Sequence, residues 1–95
     1  MIKAKFPTGQ TAHELLHYMG ADDKFHLEQR PLLAQQLIMK CYAGKKCELT
    51  REELNQLIKE VENTLDIKAD HVGDGNWTGA QQNSLSNYLL KLKSL

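Results

Sequence analysis

An apolar stretch from Pro31 to Ala43 constrains the fold more than any other part of this sequence. When its residues are spaced about 100° apart, as in an α-helix, apolar side chains cover roughly half of the circumference. That wide face consists of Leu33, Ala34, Leu37, Ile38, Cys41 and Tyr42. Leu32 and Met39 form a second, narrower stripe on the nearly opposite side. Because a helix that is apolar on two sides must be covered on both, we expect other helices or a second copy of the chain to enclose it.

Three further helices are predicted by capping boxes, in which a threonine is followed three residues later by Glu or Gln. The threonines are Thr11, Thr50 and Thr78. The apolar residues that follow at helical spacing are Ala12, Leu15, Leu16 and Met19 in the first helix, Leu54, Leu57, Ile58, Val61 and Leu65 in the third, and Leu85, Tyr88, Leu89 and Leu92 in the last. Since no strand pattern rises above background, we predict an all-α fold, a small four-helix domain that forms a homodimeric helical bundle.

The chain is short enough to form a single helical domain over residues 1–95. Residues 1–10 are predicted to be an N-terminal arm, because Pro7 and Gly9 oppose regular structure. Residues 66–79 are predicted to be a loop rich in Gly and Asp before the last helix. The dimer or partner interface is assigned to the central helix, with Leu32, Leu33, Leu37, Ile38, Met39 and Tyr42 as its residues.

The charge balance excludes several function classes. Lys plus Arg number 12 and Asp plus Glu number 12, so the formal net charge is zero. Strong nucleic-acid binders carry a basic excess, and no nucleic-acid partner is therefore predicted. No stretch approaches the roughly 18 apolar residues that a membrane span needs, and the first residues do not resemble a secretory signal. We therefore expect a cytoplasmic protein without a membrane partner.

Cys41 and Cys47 are the only cysteines, and their spacing fits neither a C-x-x-C redox motif nor half of a zinc finger. Cys41 lies on the wide apolar face of the central helix, where a thiol behaves as a small hydrophobe. Cys47 follows two lysines, which would lower the pKa of its thiol. For a cytoplasmic protein both are expected to be reduced thiols.

A zinc-site pattern, His13-Glu14-Leu-Leu-His17, begins the first predicted helix. It extends to Asp23 in a way that resembles the metzincin peptidases, which have a third His at that place. The resemblance implies zinc ligands at His13, His17 and Asp23, with Glu14 as general base. However, the residues before His13 leave no room for the substrate-binding sheet of that family. We therefore predict no enzyme, no catalytic residue, no cofactor and no metal, and keep a zinc metallopeptidase-like protein as an alternative.

Two other site patterns are weaker. The loop that starts at Asp70 fails as an EF-hand, because Val72 and Gln81 stand where calcium ligands are required. A helix-turn-helix could be placed on the central and third helices, but Gly44 to Leu49 is longer than the usual turn. The would-be recognition helix also carries glutamates, which phosphates repel. A DNA-binding transcriptional regulator remains the second alternative.

The middle of the chain resembles a known family of regulators. His17-Tyr18-Met19-Gly20 ends a short helix, a long apolar helix from Leu33 to Tyr42 follows, and the helix from Leu54 to Glu62 comes after a polar turn. Over roughly residues 13–66 this order resembles the YmgB/AriR family, small enterobacterial regulators of biofilm formation and acid resistance. The stretch from Leu57 to Leu92 also looks similar to the anti-adaptor IraP.

The resemblance implies a helical homodimer without catalytic residues that binds another regulatory protein. Together with the zero net charge and the wide apolar central helix, it predicts a small cytoplasmic regulatory interaction protein. Such a protein would act as a connector or anti-adaptor through protein–protein binding, in stress or biofilm regulation.

Overall fold

A computed structural model of the chain describes residues 1–18 and 46–95, without the side chain of Leu16. The elements in chain order are β1 (Ile2–Lys5), α1 (Gly9–Tyr18), β2 (Lys46–Leu49), α2 (Arg51–Ala69) and α3 (Gly79–Lys93). These parts form a small, compact and mostly helical domain. Asp23, Cys41, the predicted central helix and all six predicted interface residues lie outside the described residues, which contain three helices rather than four.

The prediction of an all-α fold is wrong, because β1 and β2 form a two-stranded antiparallel sheet. Ile2 pairs with Leu49 at one end and Lys5 pairs with Lys46 at the other. The predicted N-terminal arm of residues 1–10 is therefore a strand followed by the start of α1. Each strand has only 4 residues, and so short an alternation of apolar and polar residues is common by chance.

Helix α1 begins at Gly9, before the predicted cap at Thr11. Gly9 has a φ of +64°, a left-handed conformation that glycine adopts without steric cost. Thr11 lies inside the helix and is buried. Glu14, which the predicted capping box would turn back to the helix start, instead accepts a hydrogen bond from the side chain of Gln10.

The other two capping boxes are confirmed. The Thr50 hydroxyl accepts from the Glu53 amide at 3.1 Å, and the Glu53 carboxylate accepts from the Thr50 amide at 2.9 Å. The same reciprocal pair joins Thr78 and Gln81 at the start of α3. Each pair satisfies two N–H groups that a helix start leaves open. Because α2 continues to Ala69, the loop predicted over residues 66–79 is shorter and begins at Asp70.

The core lies between α2 and α3 and is closed by α1 and the sheet. The predicted stripe of α2 is buried at Leu54, Leu57 and Val61, and that of α3 at Leu85 and Leu92. Phe6, Leu15, Leu49 and Trp77, from the segments around these helices, complete the core. Trp77 therefore anchors the loop between α2 and α3 to the core that these two helices form. Among the described helices, none is long and apolar enough to cross a membrane.

Candidate functional site

The zinc-site pattern on α1 does not form a cluster in the described part of the chain. His13 and His17 are exposed, and the His17 ring packs edge-on against Tyr18, with 5.2 Å between the ring centroids. Glu14 lies on another side of the helix, where its carboxylate is 3.4 Å from the Lys68 ammonium. No group of three potential metal ligands occurs among residues 1–18 and 46–95. The predicted third ligand, Asp23, is not among these residues.

Glu14 instead belongs to a polar network around the buried Lys68. The Lys68 ammonium lies 5.1 Å from the centroid of the Trp77 ring, a cation–π distance. The Trp77 indole donates to Gln82 at 2.8 Å, and the Gln82 amide donates to the Leu65 carbonyl at 3.3 Å. A buried ammonium requires partners of this kind, so the network has a structural function: it joins α1, α2 and α3. Sequence reasoning missed it because its members are distant in the chain.

A groove of about 720 Å³ lies between β1 and α3, and its volume is in the range of ligand-binding sites. One wall is the continuous segment from Lys3 to Thr8, and the other is formed by α3 and the residues after it. Buried Ala4, Phe6 and Leu92 contribute apolar surface to the lining. The polar side chains of the lining are those of Thr8, Thr11, Ser84, Asn87, Tyr88 and Ser94.

Four exposed lysines surround this groove: Lys3, Lys5, Lys46 and Lys91. No acidic residue lines it among the described residues, and there none of the four lysines forms an ion pair. Lys5 and Lys46 stand directly opposite each other in the sheet, an arrangement that repulsion destabilises. A bound anion would relieve that repulsion. We therefore call this surface the basic groove.

Tyr88 lines the basic groove and carries a buried hydroxyl. Among the described residues this hydroxyl has no hydrogen-bond partner, an unusual state for a buried polar group. Burial raises the pKa of Tyr88 above its ordinary value of 10.0, so the hydroxyl keeps its proton at neutral pH. A ligand atom that accepts a hydrogen bond would satisfy this group.

Cys47 is disulfide-bonded, so the prediction of a reduced thiol is wrong for this residue. Its side chain is buried on β2, and its sulfur lies 3.4 Å from the carbonyl oxygen of Ala4 on the paired strand. A disulfide sulfur carries no proton to donate, so this is a packing contact. The other cysteine of the chain, Cys41, lies outside the described residues.

The chain matches no protein-family model, and neither curated proteins nor solved structures give a significant match. The basic groove was also missed by the sequence analysis, because its lysines are scattered from Lys3 to Lys91 in a chain of zero net charge. The available signal was the Lys3-Ala4-Lys5 alternation. Only the pairing of β1 with β2 and the position of α3 bring the four lysines to one groove.

Proposed function

We propose that this protein is a small regulatory interaction protein that binds an acidic segment of another protein in the basic groove. The observation that carries the proposal is a set of four lysines around an apolar floor of Ala4, Phe6 and Leu92. Among the described residues these lysines form no ion pair, and the lining contains no Asp or Glu. Complementary charge favours and orients such a partner, while the floor supplies apolar contact. The resemblance to YmgB/AriR proteins supports a connector or anti-adaptor role in stress or biofilm regulation.

The two alternatives fit the geometry less well. A zinc peptidase would need Glu14 as its base, but that carboxylate is 3.4 Å from Lys68 and accepts from Gln10. A DNA-binding regulator would use the same lysines, but α2 exposes Glu52, Glu62 and Asp66 to repel phosphates. Competition by duplex DNA for a bound acidic peptide would distinguish DNA from a protein partner.

The homodimer through the central helix stays a prediction, since its interface residues lie outside the described residues. Sedimentation equilibrium on the wild type and on Met39→Glu tests it. A cytoplasmic location is likewise a proposal. The disulfide at Cys47 counts against it, because structural disulfides persist mainly in oxidising compartments.

The proposed function predicts a charge-dependent complex with a fluorescein-labelled acidic peptide, measured by fluorescence anisotropy. Lys5→Glu and Lys91→Glu should each weaken binding about tenfold or more, because each replaces an attraction by a repulsion. Lys59→Glu is the matched control, since it makes the same charge change at an exposed position of α2 outside the groove. Equal affinities for all three variants would contradict the proposal.

A further inference from the structure

We infer that the partner segment binds as an extended strand along the edge of β1 opposite β2, with acidic residues at every second position and apolar residues between them. This inference rests on the proposed function and adds the binding mode and the sequence pattern of the partner. Extended segments commonly bind to open sheet edges through main-chain hydrogen bonds, and their alternate side chains then give specificity.

The first step is that the basic groove runs along the edge of β1. Successive side chains of a strand point to opposite faces of a sheet. Lys3 and Lys5 are exposed on one face, and Ala4 and Phe6 are buried on the other side of the chain, yet all four line the groove. The contribution of both sets fits a groove that follows the edge of this segment.

The second step is that this edge can accept a strand. Within the described residues, β1 has β2 as its only hydrogen-bonded neighbour, in a sheet of two strands. The opposite edge of β1 therefore presents N–H and C=O groups that a further strand could pair with.

The third step gives the sequence pattern. Side chains of adjacent strands lie level with each other, about 4.8 Å apart across the pair. Partner residues level with Lys3 and Lys5 meet ammonium groups, so they should be Asp or Glu. Partner residues level with Ala4 and Phe6 meet these buried apolar side chains, so they should be apolar. Glu48 and Lys46 are both on β2, about two strand spacings from the added strand, so Lys3 and Lys5 are the charged residues of the sheet nearest to it.

The fourth step concerns Tyr88 on the α3 wall. Tyr88 lines the groove, and its buried hydroxyl has no hydrogen-bond partner among the described residues. A strand in the groove brings a carbonyl or carboxylate oxygen as acceptor, and this accounts for a donor that the described residues leave unsatisfied. It is an observation independent of the lysines, and it indicates an occupant with acceptor atoms.

Two peptides of equal composition test the pattern by isothermal titration calorimetry. One alternates Glu and Val, and the other has all its Glu before all its Val. We expect the alternating peptide to bind about tenfold more tightly or better, because only it presents acid and apolar side chains to the two sides of β1 at once. Tyr88→Phe should weaken its binding by up to about tenfold.

Backbone methylation tests the strand pairing itself. In a strand, the amides of alternate residues point to the same edge, so N-methylation of all Glu or of all Val should affect binding differently. We expect one methylated peptide to lose binding and the other to retain it. Equal effects, or equal binding of the alternating and block peptides, would overturn strand addition. If the alternating and block peptides bind equally to the wild type and both lose binding to Lys91→Glu, the proposed function is supported although strand addition is not.

Two remaining outcomes also decide the question. If no acidic peptide binds, the proposed function and this inference both fail. If the β1 amides that point away from β2 are protected from hydrogen exchange in a peptide-free dimer but not in the monomer, a second copy of the chain occupies the edge, and the inference is overturned.

Discussion

The Tyr88 hydroxyl costs stability in the absence of a ligand, because it is buried without a hydrogen-bond partner among the described residues and so loses its hydration uncompensated. We predict that Tyr88→Phe raises the free energy of unfolding, by about 1 kcal/mol, even as it weakens peptide binding. Urea denaturation of the wild type and the variant measures this. A clear loss of stability in the variant would show that the hydroxyl has a partner.

The same residue predicts a dependence on alkaline pH. Burial raises the pKa of Tyr88 in the folded state above 10.0, so its contribution to stability is complete below that pH and is lost as the pH rises further. Between about pH 9 and pH 11, the wild type should lose stability more steeply than Tyr88→Phe. Lysine deprotonation affects both proteins alike, and the difference between their unfolding curves therefore reports Tyr88. Parallel curves would contradict the burial of the hydroxyl.

The pairing of Glu14 with Lys68 makes a different prediction. Glu14→Gln should lower the free energy of unfolding by about 1 to 3 kcal/mol, because it leaves a buried ammonium without its anion. His13→Ala, on the exposed side of the same helix, should change it by about 0.5 kcal/mol or less. Thermal unfolding with and without EDTA completes the test. Strong destabilisation by EDTA would favour the zinc-site hypothesis instead.

Among the elements, α2 offers a direct comparison of cap and core. Thr50→Ala removes a confirmed N-cap and should cost about 1 kcal/mol. Leu57→Ala removes a fully buried side chain and should cost about 2 to 5 kcal/mol. Urea denaturation of both variants checks the order. A smaller effect at Leu57 than at Thr50 would mean that the buried face of α2 is assigned wrongly.

The long helices could be predicted from sequence, whereas the sheet could not. The stripes of α2 and α3 repeat over several turns, and their caps carry local signals at Thr50 and Thr78. The strands have 4 residues each, and Lys5 meets Lys46 through a pairing between segments far apart in the chain. Such non-local pairing leaves no periodic signal, so the sequence predicts an arm where the structure has β1 and the start of α1.

Polar contacts between residues distant in the chain could not be predicted from sequence either. The sequence pattern assigns Glu14 to a cap or a zinc site, but its partner Lys68 is on another helix. Lys68 continues the buried face of α2 after Val61 and Thr64, where a lysine is unusual. The groove lysines belong to β1, β2 and α3, so a count of charges along the chain could not reveal them. The sequence predicts the helices, which have local signals, but not the candidate site, which is formed by tertiary contacts between distant segments.

At the scale of the whole molecule, the described residues form an apolar core with the basic groove on its surface. The formal net charge of the chain is zero, yet four ammonium groups gather beside β1 while exposed carboxylates lie on α2. This separation of charge predicts attraction of an acidic partner at one side, weakened by salt because the lysines are exposed.

Backbone amide NMR of the full chain, titrated with the alternating Glu and Val peptide, tests the central claim most directly. The account predicts that the largest chemical-shift changes fall on residues 3–8 and on the α3 wall from Ser84 to Leu92, and that they diminish at high salt. The exposed face of α2, including Lys59 and Glu62, should not change. Changes centred on α2, or no changes at all at saturating peptide, would contradict the assignment of the basic groove as the binding site.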